Sequence, residues 1–262
     1  MDIVVCVKQV YDTSQLKFDE ATGEMRPGAE LILNPFCEYA LETALRLKEA
    51  KGEGNVVAFS LGGSQAKEAL KKAIAMGTDE AFLLDDPAFD GSDSSTTALA
   101  LAKAIQAKVP DASLIFFGQS AVEGATGATG PQVAECLDLA SMTYCKQVDW
   151  EGDTVIVQRE TETGIEKHKV TLPAVICTMK CDYEPRMANI KGVMKANRTE
   201  IPSIALSELG LSESQVGKAG ANNVIQKTFP RPARPVGKKL EGLSGEDAAN
   251  AIVTYLKEQK FV

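Results

Sequence analysis

The first half of the chain alternates short apolar segments with longer amphipathic ones. Four apolar segments are rich in β-branched and aromatic side chains, as buried strands are, and they cover residues 3–7, 56–59, 81–84 and 114–117. Strands that are apolar on both faces and alternate with helices predict a parallel sheet with helices on both sides. In such sheets ligands bind beyond the carboxyl ends of the strands.

Three amphipathic helices are predicted between these strands. Asn34 is expected to cap the first helix, and Gly52 to end it. Ser64 is expected to begin the second helix, which Gly77 ends, and the third carries its apolar face on residues 98–105. Each predicted helix therefore joins two neighbouring strands of the first half.

At the start of the second half, apolar and polar residues alternate with a period of two. Residues 155–157 and 169–171 flank a turn signal at 162–164 and predict a hairpin, and residues 174–177 predict a further buried strand. The predicted fold class is α/β. It is a mostly parallel, doubly wound, Rossmann-like sheet of the adenine-nucleotide-binding kind, with an added β-hairpin and a C-terminal arm.

Beyond residue 186 the alternation of strand and helix segments becomes less regular. Prolines at 229–235 predict a stiff, extended arm, and residues 248–256 predict a last amphipathic helix. We therefore expect a nucleotide-binding domain over residues 1–186, followed by a segment over 187–262 that packs on another surface.

Charge and hydropathy exclude several classes of function. The 262 residues carry a formal net charge of -8 and a pI near 4.9, so no basic face is expected to bind nucleic acid or anionic lipid. The apolar run at the N-terminus is too short for a signal peptide or a membrane span. A cytoplasmic protein without membrane insertion is expected.

Metal and thiol chemistry are not indicated either. His168 is the one histidine and is expected on a strand face, so we expect no metal site and no Cys/His dyad. The cysteines are too widely spaced for a zinc or redox motif and are expected to be reduced, buried side chains. They are Cys6, Cys37, Cys136, Cys145, Cys177 and Cys181.

Residues 118–130, GQSAVEGATGATG, form a glycine loop between the fourth predicted strand and a helical segment. Glycines allow the backbone to approach an anion closely, Thr126 and Thr129 supply hydroxyl donors, and a helix N-terminus favours negative charge. The loop lacks the Lys-Ser/Thr of a Walker motif and the GxGxxG spacing of a dinucleotide fingerprint. It is either a phosphate cradle or a merely flexible loop.

Two further segments are expected at the same edge of the sheet. Residues 61–64 follow the second strand, and residues 34–37 begin the first helix. Together with the glycine loop they favour a bound nucleotide, although Gly and Ser are also common in such loops as helix caps.

Several motifs, in order along almost the whole chain, resemble the beta (small) subunit of electron transfer flavoprotein. They include VVCVKQ at the start, NPFCEYALETALRLKE from residue 34, the glycine loop, and VQRETETGIEKHKVTLPAVICT from residue 157. They continue with EPR at 184–186 and KGVMKA at 191–196.

The resemblance implies a heterodimeric electron carrier, not an enzyme with its own acid or base. Its FAD would be shared with an alpha subunit, on which the 187–262 segment would pack, and a flavin dehydrogenase of the acyl-CoA dehydrogenase type would dock transiently. A second adenine nucleotide would lie within this chain. By resemblance its contacts are Cys6, Asn34, Pro35, Phe36, Cys37, Leu61, Gly118, Gln119, Ser120, Ala121, Val122, Glu123, Gly124, Ala125, Thr126, Gly127, Ala128 and Thr129.

A second set of residues matches the segment that docks the dehydrogenase. Ile190 takes the place of its apolar anchor, with a core residue of a short helix as the competing interpretation. The matched positions are Glu184, Pro185, Arg186, Ile190, Lys191 and Lys195.

The identity of the second nucleotide is left open by mixed features. Ala125 stands where electron-bifurcating members, which hold a second FAD, usually have Asp, whereas residues 217–220 resemble that bifurcating group. We expect AMP and a single-flavin carrier, with a bifurcating protein and an NADH donor as the alternative.

Two other classes share the strand-loop-helix arrangement. An ATP-binding stress-protein-like module would not need the proline-rich arm or the last helix. An ATP-pyrophosphatase would need a motif that residues 90–95 match only loosely, after the third strand instead of the first.

Overall fold

The computed structural model describes residues 1–19, 28–226, 237 and 239–262. The chain forms two units, Met1–Thr228 and Phe229–Val262. The proline-rich arm predicted at 229–235 lies outside the described residues.

The first unit is built on a nine-stranded sheet with the order β11-β5-β4-β1-β6-β10-β7-β8-β9. Seven neighbouring strands, from β11 to β7, are parallel, and β8 and β9 continue the sheet antiparallel. The sheet's strands are β1 (Asp2–Cys6), β4 (Asn55–Leu61), β5 (Glu80–Leu84), β6 (Ala112–Gly118), β7 (Ala140–Glu151), β8 (Thr154–Thr161), β9 (Gly164–Thr171), β10 (Ala174–Thr178) and β11 (Ser203–Ile204).

The helices cover both faces of this sheet, as predicted. The apolar side chains of α1 and α2 pack on one face, and those of α3 and α4 on the other. The central strands are therefore buried on both sides, which explains their continuous apolar sequences. The helices of this unit are α1 (Pro35–Lys51), α2 (Lys67–Met76), α3 (Ser94–Lys108), α4 (Thr129–Leu137), α5 (Ile190–Arg198) and α6 (Gly217–Gly220).

Two predicted helix starts differ in detail from the structure. Asn34 precedes α1, but its side chain makes no capping hydrogen bond because the glycine loop engages it. Ser64 begins a single 3-10 turn, Ser64–Ala66, and α2 starts at Lys67. Gly52 and Gly77 end α1 and α2 with positive φ, as predicted.

The antiparallel hairpin is confirmed, and the strand before it, β7, is longer than the period of two predicted. β7 begins at Ala140, seven residues before the predicted start near residue 147. Its first half pairs parallel with β10, and the register shifts near Tyr144, so this half shows no clean alternation. The indole N–H of Trp150 donates to the Leu47 carbonyl at 2.9 Å and joins this layer to α1.

A small antiparallel pair, β2 (Gln9–Tyr11) and β3 (Leu31–Leu33), lies outside the main sheet and was not predicted. Each strand has three residues, which is too short to show a period in the sequence. The pair continues directly from β1, so it extends the chain beyond the carboxyl edge of the sheet.

The second unit contains α7 (Gly245–Glu258), which Ser244 caps by accepting from the Asp247 N–H at 3.2 Å. Ile252, Val253 and Tyr255 of this helix are exposed. Within the described residues, no helix is long and apolar enough to cross a membrane.

Candidate functional site

The carboxyl ends of β1, β6 and β10 lie side by side and form the floor of the candidate site. Cys6 is in register with Phe117, and Phe117 with Cys177. The glycine loop leaves the sheet at Gly118, between the ends of β1 and β10. Since parallel strands end at one edge, the predicted contacts are gathered there from distant parts of the sequence.

Gly118 packs directly against the first turn of α1. A Cβ at this position would lie 2.7 Å from the backbone carbon of Phe36 and 2.9 Å from the Cys37 nitrogen. No side chain fits at these distances unless the backbone moves. The loop and residues 34–37 can therefore pack in direct contact because Gly118 has no side chain.

Asn34 links the glycine loop to the start of α1. Its amide nitrogen donates to the Ser120 carbonyl at 2.9 Å and to the Cys37 sulfur at 3.3 Å. Its amide oxygen accepts from the Val122 N–H at 3.2 Å, and the side chain is 1% exposed. This buried amide is satisfied at both ends: two hydrogen bonds fix the loop backbone, and the third reaches the first turn of α1.

Three buried cysteines, Cys6, Cys37 and Cys177, lie beneath the loop. Burial raises the pKa of each thiol, and for Cys6 the neighbouring Cys37 and Cys177 raise it further. The Asn34 hydrogen bond opposes burial at Cys37 but does not outweigh it. These cysteines are therefore uncharged thiols that fill space, not nucleophiles.

The middle of the glycine loop has an unusual backbone. Gly124, Ala125 and Gly127 all have positive φ, with values of 74°, 47° and 62°. Within the described residues, the N–H groups of Thr126 and Gly127 donate to no protein acceptor. Left-handed residues with free N–H groups form the concave backbone arrangement that binds anions.

The loop ends at the N-terminus of α4. A Cβ on Gly130 would lie 2.4 Å from the Cys177 sulfur and 3.2 Å from Cγ of Phe117, so the first turn of α4 sits directly on the sheet. The unpaired N–H groups and dipole of this turn add to the preference for an anion.

Glu123 holds the loop against the small sheet. Its carboxylate accepts from the Tyr11 N–H and lies 3.9 Å from the Lys8 ammonium. Leu61 ends the neighbouring strand β4 at the same edge, where the Gly62 N–H donates to the Leu84 carbonyl at 3.1 Å.

The structure reveals one residue beside the site that was not predicted, Tyr144. Its φ is 58°, a rare value for an aromatic residue, and its N–H donates to the side-chain oxygen of Gln119 at 2.6 Å. Gln119 is buried, and its own N–H donates to the Thr178 carbonyl at 2.7 Å. Nothing in the sequence signals a positive φ at a tyrosine.

These features fit the phosphates of a nucleotide. The described part of the site combines a glycine-shaped cradle, free N–H groups, a helix N-terminus and small side chains at Ala125, Ala128 and Thr129. Such a site binds phosphates through the backbone and needs no basic side chain. Among the described residues, no group of three or more His, Cys, Asp or Glu side chains is placed to hold a metal.

The predicted docking residues lie between β10 and α5 and on α5 itself. Ile190 begins α5 and is 81% exposed, so the competing interpretation as a core residue is wrong. Met187 is 93% exposed, and Lys191 is exposed. The Lys195 ammonium instead donates to the Thr78 carbonyl at 2.9 Å, which holds α5 against the end of α2.

Two other polar positions have structural explanations. His168 lies on β9, where its Nε2 is 2.9 Å from a Glu166 carboxylate oxygen. Asp93 caps α3 by accepting from the N–H groups of Ser95 and Thr96, both at 3.0 Å. The 90–95 segment is thus a helix start, not a pyrophosphatase motif.

Comparisons with known proteins show the family to which the chain belongs. A sequence model of the electron transfer flavoprotein domain matches residues 25–209. The electron transfer flavoprotein subunit beta of Megasphaera elsdenii is 38% identical over 265 residues, covering 99% of this chain and 97% of the relative. Subunit CarD of a caffeyl-CoA reductase-Etf complex from Acetobacterium woodii is 35% identical over the full length of both proteins. The electron transfer flavoprotein subunit beta of Mycobacterium tuberculosis is also 35% identical, over 100% of this chain and 99% of the relative.

Proposed function

The chain belongs to the electron transfer flavoprotein family, as a beta subunit, and from this premise we propose that it carries electrons as one half of a heterodimer. Its partner is an alpha subunit, and the two chains share an FAD. The exposed apolar side chains of α7, in the segment 187–262, pack on that alpha subunit.

The observation that carries the proposal is the glycine loop held on the first turn of α1. Gly118, Asn34 and Gly130 fix the two ends of a loop whose middle offers free N–H groups. This arrangement supports a bound adenine nucleotide within this chain, with its phosphates at residues 124–129. We propose AMP as this nucleotide, because Ala125 stands where the bifurcating members, which hold a second FAD, usually have Asp.

The flavin, when bound, supplies the redox chemistry by accepting and releasing one or two electrons. The residues of this chain bind the nucleotide, close one side of the flavin site and present the docking surface. The three thiols of the site are buried and uncharged, so none of them acts as a nucleophile.

The docking surface consists of Met187, Ile190, Val193 and Met194, which are all exposed on or beside α5. Lys191 flanks it. An exposed apolar patch with a charged rim suits a partner that binds and leaves in each cycle. The partner is a flavin dehydrogenase of the acyl-CoA dehydrogenase type.

The test is to co-express the chain with its alpha subunit and to mix the purified heterodimer with an acyl-CoA dehydrogenase and its substrate. The expected result is a yellow heterodimer whose flavin absorbance bleaches. Ile190→Asp is expected to raise the KM for the dehydrogenase about tenfold, because it places a charge in an apolar contact. Ile165→Asp, the same change at another exposed isoleucine, is the control. A colourless complex, or equal KM values for the two variants, would contradict the proposal.

A second candidate function is supported by the similarity to CarD, which its name places in a caffeyl-CoA reductase-Etf complex. In that case this chain holds a second FAD in place of AMP and takes part in electron bifurcation with NADH as donor. NADH would then reduce the heterodimer without any dehydrogenase present, whereas the single-flavin carrier would not respond to NADH.

A further inference from the structure

The side chain of Arg186 is 31% exposed, and its guanidinium is paired with carboxylates. It is held by two carboxylates of α1, Glu42 and Glu49. Its Nε donates to Glu42 at 2.7 Å and its Nη2 at 3.2 Å, while Nη1 and Nη2 donate to Glu49 at 2.5 and 3.0 Å. The Arg186 N–H also donates to Glu42, at 3.0 Å. Arg186 is therefore fixed by five hydrogen bonds.

Burial makes the two carboxylates unequal. Glu42 is 4% exposed, and Arg186 supplies the hydrogen bonds that let it remain buried. The side chain of Glu49 is 60% exposed. Hydrogen bonds from Arg186 hold the pKa of Glu49 below its usual range, and those to both carboxylates raise the pKa of Arg186. Both partners of the ion pair are thus charged at neutral pH.

The same face of α1 holds the residues that precede Arg186. The Tyr39 hydroxyl donates to Glu184 at 3.0 Å, and the Thr43 and Tyr183 hydroxyls are 2.6 Å apart. Residues 39, 43, 46 and 49 follow one another at helical spacing along this face. Segment 181–186 is therefore attached along three turns of the helix whose first turn supports the glycine loop.

Within the part of the chain that the structure describes, the segment that follows Arg186 is attached at its far end. A Cβ on Gly192 would lie 2.2 Å from the Ala75 carbonyl oxygen, so α5 touches the end of α2 closely, and Lys195 adds its bond to Thr78. Between these two attachments Met187 and Ile190 are exposed. The position of the docking surface is set by Arg186 on one side and by Gly192 on the other.

We propose that Arg186 is a positioning residue for dehydrogenase docking: by bridging Glu42 and Glu49 it orders residues 187–190 on α1 without contacting the dehydrogenase. The inference rests on the proposed docking function of α5. The sequence resemblance placed Arg186 among the docking residues, and its hydrogen bonds favour an indirect role. Only arginine can bridge two carboxylates with a planar fork, so lysine is not an equivalent replacement.

The test compares heterodimers that carry Arg186→Gln, Arg186→Lys or Glu49→Gln. Lys71→Gln is the matched control, because it removes one cation from the exposed Lys71–Glu68 pair on α2. Hydrogen exchange is measured at the amides of Gly192 and Val193, which donate to the Asn189 side chain and carbonyl and so report on the order of the preceding segment. The KM for an acyl-CoA dehydrogenase, the melting temperature and the flavin content are measured as well.

Arg186→Gln is expected to speed exchange of the Gly192 and Val193 amides and to raise KM, each about tenfold, with kcat and flavin content unchanged. Arg186→Lys should give a smaller change in the same direction, and the control none. If Arg186→Gln does not assemble, Glu49→Gln decides the question, since it removes only the exposed half of the bridge. A fall in melting temperature without faster local exchange or higher KM would show a merely structural role and overturn the proposal.

If the wild-type heterodimer is not reduced by the dehydrogenase, the proposed function fails. If the wild-type protein works and the Arg186 variants keep its KM, only the positioning inference fails.

Discussion

Substitution of Gly130 by alanine separates two opposing physical effects at the glycine loop. Gly130 is the second residue of α4, with an ordinary helical backbone, so helix propensity alone favours alanine by about 0.5–1 kcal/mol. The new Cβ would, however, lie 2.4 Å from the Cys177 sulfur and 3.2 Å from Cγ of Phe117. Overpacking of this kind in a close-packed interior costs about 1–3 kcal/mol.

The contact is expected to outweigh the propensity. Gly130→Ala should lower the free energy of unfolding by about 1–2 kcal/mol, which corresponds to a fall in melting temperature of roughly 2–8 °C for a chain of this size. Cys177→Ala removes the sulfur, so the double variant should be as stable as Cys177→Ala alone, within about 1 kcal/mol. The coupling between the two sites is then about 1–2 kcal/mol.

The assay is denaturant unfolding of the four proteins in a double-mutant cycle, with bound nucleotide quantified in the heterodimers. We expect Gly130→Ala to lose nucleotide as well as stability, because the first turn of α4 must move off the sheet. A more stable Gly130→Ala protein, or additive effects of the two substitutions, would refute the reasoning.

Two further predictions concern residues near the site and the start of α3. At Tyr144, where φ is 58°, the free energy of unfolding should decrease in the order Gly, Tyr, Val, because β-branched residues suit the left-handed region least. Tyr144→Val should lose about 1 kcal/mol. Chemical denaturation that finds the Val variant more stable than the Gly variant would contradict this. At Asp93 burial opposes ionisation, but N–H donors from Thr96, Asn222 and Asn223, with the Ser95 side chain, hold the pKa well below its usual range. Stability from this carboxylate is present above about pH 4 and is lost as pH falls below that value. Asp93→Asn should thus lower the melting temperature at pH 6 and have a smaller effect at pH 3, and an effect that grows on acidification would refute the assignment.

The sheet and its helices could be predicted because their signals are local. Buried strands such as β1 and β6 are continuous apolar segments, and Gly52 and Gly77 mark helix ends through their positive φ. The candidate site residues were named for a different reason: they lie in motifs of several residues that match those of the family.

The details that escaped prediction depend on contacts between distant residues. Asn34 has the sequence pattern of a cap, yet its side chain binds the loop 86 residues away. The early start of β7 was hidden because Tyr144 interrupts the alternation, and its conformation depends on Gln119. The role of Glu42 is equally non-local: a buried acid on an amphipathic helix becomes understandable only when Arg186 is placed beside it.

The central claim is that this chain holds its own adenine nucleotide on the glycine loop, in addition to the flavin shared with the alpha subunit. The most direct measurement is to denature the purified, fully loaded heterodimer and to count the released nucleotides by chromatography and absorbance. One FAD and one AMP per heterodimer is the predicted result. Release of two FAD would contradict AMP and favour a second flavin in the cradle. Release of one FAD with no second nucleotide would contradict the account.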